Sequence, residues 1–348
     1  MSPFAAGCAL ALAVVTSLGV APALAAPAPG DDYRAELTVA RIVIDARVLD
    51  DRNDAVPGLG PGDFSVAVDG RPADLLQVEW SGSPAVPGGP GARGPALPPP
   101  AGAAPGRLIV LLFQRALHGL RTPGLLRMAA RAREYVGSLE PTDYVAVLTF
   151  DTHLDLHLDF TRDHAGARDL LDERVVASVR PAPLAAGPEP SLVPGLDRAA
   201  ALAAATPEAG LLVLAHALER LPGPKAVVFF AWGAGHLTSM GVFPNDEHEQ
   251  AIEALVNARA AVFALDTTNA DYHSLEGPLI AIAHDTGGSY EKTHEFVDQA
   301  MERLAAALAG QYVLVVRKPE LRPGLHRLRV ALARGVRGRV LARTFYVD

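Results

Sequence analysis

Leu108-Ile109-Val110-Leu111-Leu112-Phe113 is a run of six apolar residues with no polar break. A strand with one face in water alternates polar and apolar side chains. An unbroken run therefore predicts a strand covered on both faces, at the centre of a parallel sheet. Tyr144 to Phe150, Ala226 to Phe230 and Ala261 to Leu265 read the same way. Segments with helical apolar spacing separate and follow these strands, near residues 124–139, 163–176, 209–220, 246–260 and 294–309. Strands that alternate with helices predict an α/β chain with a doubly wound, mostly parallel sheet over residues 107–309. Residues 177–208 are rich in Ala and Pro without a clear period, and read as either a long loop or a weakly signalled helix.

The flanks follow a different rhythm. In residues 33–80, Ala40, Ile42, Ile44, Ala46 and Val48 alternate onto one face, as do Phe64, Val66 and Val68, with turn residues at Asp50–Asp54 and Asp69-Gly70. In residues 310–348 strand patterning returns at 311–317, 327–332 and 337–347, with Gly335 expected to supply a hairpin turn. This tail has nine Lys and Arg against Glu320 and Asp348, but Arg327 and Arg329 alternate with Leu328 and Val330, as a solvated strand face does. Isolated hairpins are marginal, so the N-terminal and C-terminal strands are expected to share one small β-sandwich. From Ser81 to Gly106, 15 of 26 positions are Gly or Pro and only Arg93 is charged, the composition of a linker or long loop.

The 348 residues carry a formal net charge of -8, which argues against a nucleic-acid binder, since neutralising phosphates needs a basic surplus. With Cys8 as the single cysteine, a zinc or disulfide scaffold is excluded. Residues 4–25 form an apolar, Ala-rich run ending in Ala23-Leu24-Ala25, a small-x-small pattern. It predicts a signal peptide over 1–25, cleavage before Ala26 and export, with an uncleaved anchor as the rival because no Lys or Arg precedes Arg34. Too few residues precede Cys8 for a lipoprotein signal, and no other stretch is long and apolar enough for a spanning helix.

Ile42-Val43-Ile44-Asp45-Ala46-Arg47-Val48, Val56-Pro57-Gly58-Leu59, Asp63-Phe64 and Asp69-Gly70-Arg71-Pro72 are followed in order by Asp143–Phe150, Pro222–Val228, Val262–Asp266, Thr286-Gly287-Gly288 and Gln311-Tyr312-Val313-Leu314. This ordered series resembles a family of bacterial exported proteins with a von Willebrand factor A-related domain, the acidobacterial type. The resemblance implies a von Willebrand factor A-like, Rossmann-like sheet between β elements. In functional A domains a D-x-S-x-S loop after the first strand, a Thr and a further Asp hold a divalent cation through oxygen ligands. Here that loop reads Gln114-Arg115-Ala116-Leu117-His118, and Ala231-Trp232-Gly233 stands where Ser-Asp-Gly is usual. Thr206 is the one candidate for the Thr. The resemblance thus implies an adhesion-type site that has lost its metal, with Gln114, Ala116, His118, Trp232 and Asp266 as a candidate partner-binding edge.

Asp151, His153, Asp155, His157 and Asp159 recur at every second residue, so a regular strand presents all five on one face and Leu154, Leu156, Leu158 and Phe160 on the other. His153, His157 and Asp155 could then ligate zinc or copper. The competing reading is an edge strand whose charged outward face discourages pairing. Ala231–His236 lacks the spacing of a phosphate-binding loop and reads as a flexible connection with an exposed aromatic. Asp266-Thr267-Thr268 and His284-Asp285 could supply an acid or base, yet no nucleophile, base and orienting group form a recognisable set. The expected function is a non-enzymatic extracytoplasmic interaction module that needs no cofactor and binds an unidentified protein partner. The alternative is a metal-binding protein or hydrolase using residues 151–159 or a strand-edge cleft, favoured if His118, His236 and Asp266 converge.

Overall fold

The computed structural model describes residues 40–82, 106–115, 121–175, 181–269, 273–294 and 296–348. The segment expected to be a signal peptide, nearly all of the Gly/Pro-rich stretch, Ala116 and His118 lie outside the described residues. The first strands are β1 (Arg41–Leu49), β2 (Phe64–Val68), β3 (Arg71–Pro72) and β4 (Leu75–Gly82). Next come β5 (Leu108–Gln114), α1 (Thr122–Gly137), β6 (Tyr144–Phe150), β7 (Leu154–Thr161), α2 (His164–Arg174), α3 (Arg198–Ala203) and α4 (Pro207–Glu219). They are followed by β8 (Lys225–Ala231), β9 (His236–Thr238), β10 (Gly241–Phe243), α5 (His248–Asn257), β11 (Ala260–Asp266), α6 (Glu276–Asp285) and β12 (Ser289–Lys292). The chain closes with α7 (Val297–Leu308), β13 (Gly310–Arg317), β14 (Leu325–Leu332), β15 (Arg339–Ala342) and β16 (Phe345–Val347).

The central sheet has the order β12-β11-β8-β5-β6-β7, parallel throughout except for the antiparallel edge pair β6/β7. Every residue of β5, β8 and β11 is buried, as the unbroken apolar runs predict. Alternate residues feed two cores. Leu108, Val110 and Leu112 join Leu211, Leu214, Ala251, Leu255 and Leu279 from α4, α5 and α6. Ile109, Leu111 and Phe113 join Met128, Leu171, Met301 and Leu304 from α1, α2 and α7. On this second face Phe113 stacks on Phe230 with ring centroids 4.4 Å apart. Burying each large side chain of this kind contributes about 1.5–3 kcal/mol. The chain is therefore a doubly wound α/β protein with helices on both sheet faces.

The terminal strands form two antiparallel sheets, β15-β1-β13-β4 and β16-β14-β2-β3. The alternation in β1 divides its work. Ile42, Ile44, Ala46 and Val48 face a cluster shared by both sheets, with Phe64, Val66, Val68, Leu314, Val316 and Tyr346, whereas Leu49 joins the α1/α2/α7 core. Tyr312 is at the centre of the shared cluster, against Phe64 and Trp80, and its hydroxyl donates to Val56 O at 2.7 Å. Chain ends far apart in sequence pair directly, Ile44 opposite Leu314 and Val66 opposite Val330.

Three local expectations are corrected. Gly335 does not close a hairpin, because β14 pairs with β2 and β16 while β15 pairs with β1, so this turn carries the chain from one sheet to the other. The segment 337–347 breaks into β15 and β16 for the same reason. Ala40 precedes β1 and is exposed. The unassigned interval resolves in part into α3, capped by the Asp197 carboxylate on the N–H groups of Ala199 and Ala200.

Candidate functional site

Chain order runs outward from β5 through β6 to β7, then returns to the other side of β5 as β8, β11 and β12. The winding direction switches between β5 and β8, and in open α/β sheets the crevice beyond the carboxyl ends of such a strand pair is where ligands bind. Gln114 ends β5 and Ala231 ends β8, so Arg115 and Trp232, which follow them, lie at this crevice.

Side chains of the protein itself tie its two sides together. Gln114 is 2% exposed, and its Oε1 accepts from the backbone N–H of Trp232 at 2.9 Å and of Gly233 at 3.3 Å. The half-buried Trp232 donates from Nε1 to Arg115 O at 3.4 Å, and the Arg121 guanidinium lies 3.5 Å from its ring centroid, a cation–π contact. The first turn of α1 approaches closely: a Cβ on Gly124 would lie 2.0 Å from Thr267 O, so only glycine lets α1 come this near β11.

Arg115 is buried beside two carboxylates, with Nη2 2.9 Å from Asp151 and 3.6 Å from Asp155. His153 bridges the same pair, Nδ1 to Asp151 at 3.1 Å and Nε2 to Asp155 at 2.9 Å. Burial works against the Asp151 carboxylate, but the Thr152 N–H, Arg115 and His153 outweigh it and hold its pKa below the usual value. His157 is elsewhere, buried and 2.8 Å from Thr149 Oγ1. The single charged face expected for residues 151–159 does not exist. Asp151 and His153 lie in the turn before β7, and the β6/β7 register shifts twice. These bulges send Leu154, Leu156 and Phe160 into one core and Leu158 against the other. Asp155 and His157 are 5% and 4% exposed rather than solvated, and Asp159 accepts from Leu192 N.

Among the described residues, the donors at the switch point do not suit a divalent cation. The Gln114 carbonyl is taken by two N–H groups, and its buried Nε2 has no partner among the described residues, a donor that asks for an acceptor and repels a cation. Arg115 adds a positive charge alongside. Thr206, the candidate Thr ligand, caps α4 by accepting from Ala209 N and donates to Glu247.

A second group lies further along the edge, at the end of β11. Asp266, 1% exposed, accepts from Thr268 N at 2.9 Å, His273 Nε2 at 2.8 Å and Tyr290 OH at 2.7 Å. Glu276 is 3.0 Å from both the Tyr290 hydroxyl and Lys292 Nζ. Burial first, then hydrogen bonds to Asp266 and Glu276, push the Tyr290 phenol far above its usual range. Asp266, His273 and Glu276 bring one ligand atom each within 4.8 Å of one another. Of these residues only Asp266 stands out in the sequence. The spacing of His273 and Glu276 is a signal only once α6 is known to fold back onto β11 and β12.

The expected rim is thus partly inward. Gln114 and Asp266 offer no surface, Trp232 does, and Ala116 and His118 fall outside the described residues. His236 is exposed against Asn245, and Asp266 has its own partners. His284 is exposed and Asp285 accepts from Thr344. After Trp232 the chain does not run as a loose connection but forms the β9/β10 hairpin. Glu208 fixes its base: one carboxylate oxygen accepts from Gly235 N at 2.7 Å and the other from Asn245 Nδ2 at 2.8 Å. The hairpin carries Leu237, Met240 and Phe243 at 67%, 86% and 45% exposure.

No family model matches the sequence, and no curated protein does. Among solved structures, a conserved hypothetical protein BatB from Bacteroides thetaiotaomicron is 14% identical over 58% of this chain and 97% of its own, at a TM-score of 0.39. An aerotolerance-related membrane protein from Bacteroides fragilis is 14% identical over 59% of this chain and 98% of its own, at 0.38. The human COPII-coat protein Sec24c is 12% identical over 70% of this chain and 43% of its own, at 0.39. Among the described residues no helix is long and apolar enough to cross a membrane.

Proposed function

We propose that this chain is an exported, non-enzymatic interaction protein built on a von Willebrand factor A-like sheet whose metal site is lost. It meets a protein partner through the β9/β10 hairpin and Trp232. One observation carries this reading: Gln114 at the switch point is bonded to the Trp232 and Gly233 N–H groups, while the adjoining hairpin exposes three large apolar side chains. An apolar projection on a fixed base is the form of a contact surface. Buried Gln114 and Asp266 then hold the edge in shape, and Trp232 and the hairpin touch the partner. The test is a photo-crosslinking residue at Met240 in the producing cell, with one at exposed Leu325 as the control. A discrete adduct from position 240 alone is expected; equal labelling at both positions, or none, contradicts the reading.

The second reading rests on Asp266, His273 and Glu276, whose ligand atoms are close enough for one ion. Their oxygens already accept from Tyr290 and Lys292, so an ion must displace these bonds. Stoichiometric Zn²⁺ or Mn²⁺ binding abolished by His273→Ala would establish it.

A further inference from the structure

At the opposite end of the central sheet, where β1 crosses it, the side chains leave a charge imbalance. Asp45, Arg47, Lys225, Arg259, Thr286 and Arg343 line a cavity of about 20 Å³. Asp45 and Arg47 are on the face of β1 turned away from the apolar cluster that the terminal sheets share. Lys225 opens β8, Arg259 immediately precedes β11, and Arg343 follows β15.

Four cationic side chains thus meet one carboxylate, and that carboxylate is spent. Arg259 grips both Asp45 oxygens, with Nε at 2.9 Å and Nη2 at 2.6 Å. Lys225 Nζ donates to the carbonyls of Leu221 and Ala258. Arg343 donates from Nη2 to Val43 O at 2.8 Å and from Nη1 to Val256 O at 3.3 Å. Glu219, which acts on Lys225, is exposed, and Arg107, which acts on Arg47, is itself paired with buried Asp143. Two fully buried donors remain. Among the described residues, the Nε of Arg47, a residue 5% exposed whose guanidinium lies 5.0 Å from the Phe263 ring, has no hydrogen-bond partner, and neither does the buried Nε of Arg343.

Buried donors are almost always satisfied, and a buried charge without a counter-charge is costly. Water could answer the two donors but not the surplus charge. The cavity exceeds the roughly 10–15 Å³ that one water molecule needs, so it holds one small particle. We propose that it is a binding site for a halide-sized inorganic anion, chloride in ordinary media, held by the free Nε donors of Arg47 and Arg343 in the field of Lys225 and Arg259. Such an anion clamps the terminal β layers to the α/β layer, since Arg47 comes from one and Lys225 from the other.

The experiment is thermal unfolding of the full chain at fixed sodium and ionic strength, with gluconate replaced stepwise by chloride. A saturable rise in Tm of about 2–4 °C is expected for the wild type, with bromide acting like chloride, and no saturable rise in Arg47→Met. Equal Tm values in chloride and gluconate, a response only to ionic strength, or stabilisation by sulfate alone would overturn the proposal. Because Arg47→Met can fail to fold, wild-type crystals in bromide supply an independent reading. An anomalous peak beside the Arg47 and Arg343 Nε atoms is expected, and a cavity without one at saturating bromide contradicts the site.

Discussion

The two ends of the central sheet treat buried charge in opposite ways. At the carboxyl end, Arg115 meets Asp151 and Asp155, and Lys292 meets Glu276. At the other end the pairing is incomplete: Arg107 meets Asp143, but Arg47, Lys225, Arg259 and Arg343 share Asp45 around one cavity. The lesson is that the end where α/β proteins usually place a ligand pairs its buried charges within the protein, whereas the end usually left to stability carries a cationic surplus. An edge with paired charges can still serve recognition, through what projects from it, which here is the β9/β10 hairpin.

The sharpest way to break the comparison is to unbalance the matched end. Arg115→Met strips two buried carboxylates of their cation, and is expected to cost about 3–5 kcal/mol in urea unfolding. A loss below about 1 kcal/mol would mean that solvent, not Arg115, compensates Asp151 and Asp155.

The unbalanced end predicts stability that rises with pH on the alkaline side, opposite to the alkaline loss that a lysine stabilised by a salt bridge gives. Burial first, then Arg259, lowers the Lys225 pKa from 10.5 to about 8, with Asp45 and Glu219 acting the other way. Between those pH values the unfolded chain binds the extra proton, so the cost of burying a charged lysine is full below pH 8 and is relieved as pH rises towards 10.5. The wild type should gain up to about 3 kcal/mol relative to Lys225→Met across that window, read from unfolding curves at fixed chloride. Parallel pH profiles for the two proteins would show that Lys225 carries no such penalty.

Between these extremes, Glu208→Ala removes the acceptor at the hairpin base. It should cost about 1–3 kcal/mol and speed proteolysis within residues 236–243, whereas cleavage no faster than wild type would mean that the hairpin stands without that anchor. The smallest effect is expected for Met240→Ser. It should leave stability within about 0.5 kcal/mol, because Met240 is 86% exposed, while weakening partner capture measured from a crosslinker at position 237. Undiminished capture would remove Met240 from the contact.

The central strands were legible because burial on both faces leaves a continuous apolar run, and 108–113, 144–150, 226–230 and 261–265 all lie within observed strands. The face assignment in β1 was legible because its alternation is regular. Residues 151–159 show the limit. Their alternation is as clean in sequence, but two register shifts that no local residue announces redistribute the side chains, and buried Arg115 draws Asp155 inward. The β9/β10 hairpin, α6 and β12 were missed because they are short and owe their form to tertiary anchors such as Glu208. The departures of Gln114 and Trp232 from an adhesion-type loop could be read directly. That Gln114 would bond to the Trp232 backbone could not, since 118 residues separate them.

The most direct measurement is calorimetric titration of the metal-stripped full chain with Mg²⁺ and Mn²⁺, repeated on His273→Ala to separate the Asp266 group. The account predicts no binding heat at the switch point, so nothing remains in His273→Ala. Stoichiometric binding that survives His273→Ala and disappears in Gln114→Ala would place a working metal site at the switch point.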